Sequence, residues 1–207
     1  GDANPLLIND PRFSPAGVLA PKSKADLAFT MHILSWLAVN GTAAIVEFPG
    51  VLYRGGAERK IRQYLIDNNY IDAVIQPPPD LFFGTTIATC IIVLKKSKTD
   101  NQVLFIDASA EFTRAGNKNK LTDPHQRRIL DAFTARVDEA HYAKLVSADD
   151  IAANDYNIAV SSYVEQEDTR EEIDITALNA EIARIVTRQQ ELRTAIDGIV
   201  ADLEGSR

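Results

Sequence analysis

The sequence predicts an α/β layer fold with a mainly parallel sheet, followed by a long C-terminal helix. Two observations predict it. Between Ala25 and Lys96 short apolar runs alternate with amphipathic helical stretches, the pattern of a sheet covered by helices. From Ile175 to Leu203 apolar residues recur at spacings of three and four, the mark of a heptad seam. The opening 24 residues carry Pro5, Pro11, Pro15 and Pro21 among Asn, Asp and Gly, which argues against regular structure. Lys24 to Val39 reads as a helix with Leu27, Met31, Leu34 and Leu37 on one face, and Asn40-Gly41 supplies a left-handed stop. Thr42 to Phe48 is apolar and too short for a helix, hence a strand. The turn through Gly55-Gly56 leads into a helix from Ala57 to Asn68, with Ile61, Tyr64 and Leu65 inward and Asn68-Asn69 as its end.

Ile71 to Gln76 is the next strand, and Pro77 to Gly84 is a turn before the most strand-like run, Thr85 to Leu94. Val103 to Ile106 is a further strand. The Gly/Asn/Lys-rich stretch from Arg114 to Lys120 reads as a flexible, exposed loop. A helix from Pro124 to Arg136, capped by Thr122 or Asp123, places Ile129, Leu130 and Phe133 inward. Ser147 to Asp150 opens a short helix with a capping pattern. Ile158 to Val164 is a strand or an extended tie across the body, and Glu165 to Glu172 is a charged linker. Four parts follow: 1–24, a flexible loop segment; 25–145, the α/β core; 146–173, tie and linker; and 174–204, the long helix.

Composition narrows the class. The chain has 207 residues, 45% hydrophobic and 25% charged, enough for one large core or a core plus an appendage. The one cysteine, Cys90, sits mid-strand as a small core residue, so no disulfide framework is expected. His32, His125 and His141 are scattered and make no ligand set, so no metal is expected. No window approaches the ~18 apolar residues of a membrane span, and the chain reads as soluble and intracellular. The net charge of −7 argues against nucleic acid, but its distribution matters more. Arg54 to Arg62 and Arg114 to Arg128 are locally basic, while acidic residues outnumber basic ones from Glu165 to Glu204.

Three blocks, SKADLAFTMHIL, VEFPGVLYRGGAERKIRQYLIDNN and DLFFGTTIATCIIVLKK, together with DYNIAVSSYVE, occur in one order. In these the chain resembles the modification subunit of type I restriction–modification systems, over nearly its whole length. The resemblance implies the C-terminal part of a Rossmann-like methyltransferase sheet and a bacterial, cytoplasmic enzyme that methylates the amino group of adenine in DNA. It implies S-adenosylmethionine as cofactor, DNA and a DNA-specificity subunit as partners, and a restriction (motor) subunit as a further one. The family's Gly-containing cofactor turn and its Asn-Pro-Pro-(Tyr/Phe) turn should precede Gly1. Asn4-Pro5-Leu6-Leu7 and Gln76-Pro77-Pro78-Pro79 lack the aromatic that would stack on adenine, so both read as turns. No residue is therefore expected to be catalytic. The chain reads as a fragment inactive by itself and unable to hold the cofactor fully.

Site candidates follow. Arg54, Arg59, Lys60 and Arg62 flank the Gly55-Gly56 turn at a helix start, where N–H groups and cations suit a phosphate; the other reading is a solvated face in which Glu58 balances Lys60 or Arg62. Lys118 and Lys120 touch DNA backbone or simply face solvent. By the resemblance, Phe82, with Phe83 as runner-up, lies near the extruded adenine; the alternative is core or hinge packing. The first 24 residues resemble the family's target loop. In the long helix Ile175, Leu178, Ile182, Ile185, Gln189, Leu192, Ile196, Ile199 and Leu203 form one seam, in which a lone polar residue fixes register at some cost in stability. A partner helix, fold-back on the chain's own domain, and a non-catalytic assembly module that docks through this helix are all open. An unpaired edge on Thr42 to Phe48 would invite self-association.

Overall fold

The computed structural model describes residues 1–166 and 174–205; most of the expected charged linker lies outside them. The chain divides into two compact units, Gly1–Glu167 and Asp168–Arg207.

The first unit is built on a five-stranded sheet. Its strands are β1 (Thr42–Glu47), β2 (Ile71–Gln76), β3 (Cys90–Lys95), β4 (Gln102–Asp107) and β7 (Ala143–Ser147), in the order β1-β3-β2-β4-β7. A separate hairpin pairs β5 (Thr113–Ala115) with β6 (Lys118–Lys120). The sheet corrects the expectation of a mainly parallel one. Only β2 and β4 are parallel neighbours; β1/β3, β2/β3 and β4/β7 pair antiparallel. The reason is the connections. Parallel neighbours need a crossover, usually helical, and no helix lies between β2 and β3 or between β3 and β4. The chain doubles back through β3, which inserts between β1 and β2. β1, β2 and β4 nevertheless run in one direction, and β1 is an edge strand.

Helices cover both faces. Helix α1 (Asp26–Trp36) buries Leu27, Thr30, Met31 and Leu34, the i, i+3, i+4 stripe expected of a helix on a sheet. It stops at Trp36, four residues before the expected signal. Leu37 turns extended, and its carbonyl accepts from Lys96 Nζ at 2.6 Å; Asn40 and Gly41 keep negative φ and merely close a turn. Helix α2 (Ala57–Asp67) ends as expected, with Asn69 left-handed at φ 59° and Tyr70 N–H donating to Leu65 O at 2.9 Å. These helices and α4 (Ala148–Ala153) lie over the larger core, with Val51, Ile61, Leu65, Ile92, Phe105, Ile158 and Val160 buried. The opposite face, with Ile75, Leu104 and Ile106, packs against α3 (Asp123–Ala135) through Ala132, Ile129 and Phe133. Leu130, expected inward, is exposed.

Four further differences are local. The run Thr85 to Leu94 becomes a strand only from Cys90, and its first half is loop. The stretch 113–120 is the β5–β6 hairpin, not a plain loop: Gly116 at φ 64° lets Gly116-Asn117 turn the chain in two residues. The first 24 residues contain two 3-10 helices, Pro5–Asn9 and Ser14–Ala16, each with proline in its first turn, where its missing N–H costs nothing. Within the segment 158–164, Val160–Ser162 is a short 3-10 helix, and Ile158 N–H donates to Leu52 O at 2.9 Å.

The second unit contains α5 (Ile175–Gly205), whose 31 residues span about 46 Å. Asp174 caps it, accepting from Thr176 N at 2.8 Å and Ala177 N at 3.1 Å.

Candidate functional site

Because β1, β2 and β4 run the same way, their carboxyl ends lie along one edge of the sheet, where open α/β sheets bind ligands. Loops 48–56, 77–89 and 108–122 leave from that edge. Two of them are joined. Asp80, held left-handed at φ 56°, presents its carbonyl to Asn119 N at 3.1 Å and its carboxylate to Arg114 at 3.2 Å. Buried Asn119 donates through Nδ2 to Pro79 O at 2.8 Å and accepts from Arg114 at 3.0 Å. Lys118 Nζ donates to Thr85 O at 2.7 Å. The hairpin thus clamps the loop, and Arg114 and Lys118 are partly committed to doing so. Lys120 is exposed and enters no ion pair among the described residues.

The clamped loop presents apolar groups outward. Phe82 is 39% exposed, Ile87 56%, and Phe83 fully exposed at 101%, beside Gly84 at φ 77°. Core packing is therefore excluded for Phe83. In the same loop the Thr89 hydroxyl is buried with no hydrogen-bond partner among the described residues. Arg114 and Asn119 belong to the basic run 114–120 that the sequence offers as a solvated or DNA-facing loop, whereas no expectation attaches to Asp80 or Ile87. The one available signal was the Gly-Asn pair, a two-residue hairpin turn, which would have carried the cations of 113–120 back onto the preceding loop.

The Gly55-Gly56 cluster separates into unlike parts. Arg62 is 1% exposed and donates to the carbonyls of Val51 at 2.9 Å, Arg54 at 2.7 Å and Tyr156 at 2.7 Å. Burial lowers its pKa to about 10, with Glu58 and Asp155 acting the other way. It staples the loop to α2 and the 154–157 turn, and is out of reach of any phosphate, which corrects its assignment to DNA. Glu58 is buried and pairs with Arg54 at 3.3 Å, not with Lys60 or Arg62. Arg59 bonds Asp155 at 2.5 Å and stacks on Tyr156. Lys60 alone of the four is exposed without an ion pair among the described residues.

The two proline turns prove to be punctuation. Asn4 Oδ1 accepts from Leu6 N at 3.2 Å as a helix cap, and Pro77 and Pro78 are buried where β2 ends. No cluster of three or more His, Cys, Asp or Glu among the described residues suits a metal.

On α5 the seam residues Ile175, Leu178, Ile182, Ile185, Leu192, Ile196, Ile199 and Leu203 are exposed, with Gln189 among them. Val186 and Val200 are exposed beside them; each follows a seam residue by one and widens the stripe. Ion pairs Glu181–Arg184 and Arg188–Glu191 run along the helix. No helix among the described residues is long and apolar enough to cross a membrane.

A family model described as N-6 DNA Methylase matches residues 2–172. The methylase subunit of the type I restriction enzyme MpnII from Mycoplasma pneumoniae is 48% identical over 205 residues, 99% of this chain and 38% of that protein. The methylase subunit of MjaVII from Methanocaldococcus jannaschii is 30% identical over 91% of this chain and 33% of its own length. Among solved structures, a type I restriction–modification methyltransferase subunit from Streptococcus thermophilus superposes with TM-score 0.77 at 47% identity, covering 79% of this chain and 35% of that one. The EcoKI M protein, 18% identical, shares the fold at TM-score 0.57 over 83% of this chain and 45% of that one. The chain thus spans under half the length of each of these proteins.

Proposed function

Starting from the chain's membership of the N-6 DNA methylase family, we propose that it is the C-terminal part of an adenine-specific modification subunit of a type I restriction–modification system. The observation that carries this is the 48% identity to a type I methylase subunit over 99% of the chain. The whole protein transfers a methyl group from S-adenosylmethionine to the adenine amino nitrogen. Asn4 is a helix cap, and Pro77 and Pro78 after Gln76 are buried, so neither turn is read as the one that positions the adenine, and the cofactor turn is assigned to the remainder of the protein. This chain therefore serves the DNA side of the reaction and the assembly.

On the DNA side, the clamped loop and hairpin form the contact surface. Phe82, half covered, is the candidate for the pocket that receives the extruded base, where an aromatic ring stacks on adenine. Lys120 and Lys60 neutralise phosphates, with Lys118, Arg54 and Arg59 contributing as far as their internal pairs allow. The first 24 residues close over the DNA as the target loop. The edge of β1 pairs with a strand from the remainder of the protein; without it, the same edge drives self-association.

On the assembly side, α5 docks on helices of a DNA-specificity subunit, which supplies target choice, and the restriction subunit joins that complex in a bacterial cytoplasm. The seam Ile175 to Leu203 supplies the contact and Gln189 the register. Val186 and Val200 broaden the stripe toward that of a helix packed in a bundle rather than against a single helix. Two experiments test the reading. The complete protein with its specificity subunit should transfer labelled methyl groups to adenine in duplex DNA, and absence of transfer would refute the activity. Removing residues 174–207 should abolish the complex while leaving the rest folded; retained assembly would refute the docking role. A purely non-catalytic assembly module, which the exposed seam of α5 also suits, predicts assembly without transfer.

A further inference from the structure

Resting on that reading of the loop and hairpin as a DNA surface, we propose that Asp80 is a stand-in for a DNA phosphate. Its carboxylate holds Arg114 and Lys118 while DNA is absent, and a backbone phosphate takes both cations over in the complex. All three groups belong to this chain. Asp80 Oδ2 lies 3.2 Å from Arg114 Nη1, and Asp80 Oδ1 lies 3.9 Å from Lys118 Nζ. A phosphate is recognised by the same pair of groups, the planar fork of an arginine and the point charge of a lysine.

The charge of Asp80 is not what joins the loop to the hairpin. Asp80 O accepts from Asn119 N at 3.1 Å, and Pro79 O accepts from Asn119 Nδ2 at 2.8 Å. Lys118 Nζ donates to Thr85 O at 2.7 Å and Arg114 Nη1 to Asn119 Oδ1 at 3.0 Å. None of these four bonds uses the carboxylate, and the left-handed φ of 56° suits Asn as well as Asp. The Arg114 side chain is 52% exposed, and ion pairs this open to water add little to stability.

What the carboxylate does change is the field at the surface. Arg114, Lys118 and Lys120 bring three positive charges to the hairpin, and Asp80 cancels one of them. Both bonds of Arg114 run through Nη1, so Nε and Nη2 have no partner among the described residues and are open to an incoming oxygen. A phosphate that meets them lies within a Debye length of Asp80, about 8 Å at physiological salt, and is repelled until the carboxylate gives way. The carboxylate then turns to water, which solvates it in place of the lost pairs. Asp80 thus sets how much charge the hairpin shows to DNA that has not displaced it.

The test compares Asp80→Asn with the wild type in the complete methylase bound to its specificity subunit, by fluorescence anisotropy of a labelled duplex across a salt series. The substitution removes the charge and keeps an acceptor for Arg114. Asp80→Asn should bind about threefold or more tighter at low salt, and the slope of log affinity against log salt should steepen by about 1. With Arg114→Gln and Lys118→Gln already present, the same change should alter affinity by less than about twofold, because its effect runs through those cations. Weaker or unchanged binding by Asp80→Asn overturns the stand-in, and so does a gain that survives loss of both cations. Faster amide hydrogen exchange in 77–89 and 113–120 of Asp80→Asn would make the carboxylate part of the clamp and overturn it too. Any of these leaves the DNA surface standing, whereas a wild-type complex that binds no duplex overturns that reading and the stand-in with it.

Discussion

Glu47 gives the first step of the core a pH dependence that can be worked from its surroundings. It is the last residue of β1, 7% exposed, and its carboxyl accepts from Thr30 Oγ1 of α1 at 3.1 Å. Burial raises its pKa from 4.5 to about 7, Thr30 opposes the rise, and Asp26 adds repulsion. The Cys90 thiol, pushed up to about 12 by burial, faces the Glu47 carbonyl and stays neutral in this range. The folded state thus keeps a proton that the unfolded state releases between pH 4.5 and 7, so stability is full below that window and falls as pH rises through it. At about 1.4 kcal/mol per pH unit, with water able to relax at the sheet edge, the loss is roughly 2 to 3 kcal/mol. Glu47→Gln keeps an acceptor for Thr30 and removes the titration. In urea unfolding at pH 5, 6, 7 and 8, the variant should gain roughly 2 kcal/mol on wild type across the series. Parallel pH profiles for the two proteins would refute the argument.

Other outcomes follow from the same geometry. Arg62→Ala orphans three carbonyl acceptors and should cost roughly 3 kcal/mol or more in denaturant unfolding; a loss under about 1 kcal/mol would deny the staple. Lys60→Ala with Lys120→Ala in the complete protein should lower the slope of log affinity against log salt by about 2, and an unchanged slope would remove both from the DNA surface. Asn119→Ala should cost about 1 to 2 kcal/mol and speed amide hydrogen exchange in 77–89 and 113–120 together; acceleration in the hairpin alone would show that the clamp lies elsewhere. Gln189→Ile should tighten assembly through α5 while admitting partners in shifted register, visible as mixed species in size-exclusion chromatography; a single species of unchanged affinity would argue against a seam role for Gln189.

Elements whose cause is local were readable from the residues alone. The i, i+3, i+4 rows of α1 and α2, the apolar runs of β2 and β4, the Asn68-Asn69 end of α2 and the Ser147 cap of α4, where Asp150 N donates at 3.1 Å, all depend on residues within a turn or two. The α5 row is legible for the same reason, since a seam is a property of one helix. The blocks that resemble the methylase family were legible too, because a linked order of motifs survives without coordinates. The remaining features rest on groups far apart in the chain. β3 lies between β1 and β2 because strand order depends on which edges meet, which no periodicity encodes. Arg62 is buried although it closely follows the charged run Glu58-Arg59-Lys60, because carbonyls from residues 51, 54 and 156 converge on it. The loop bearing Phe82 and Phe83 acquires its cations only because Asn119 and Arg114 reach back across 40 and 34 residues to Pro79 and Asp80. Local physics chooses helix or strand; desolvation and pairing at a distance choose which charges are left for a partner.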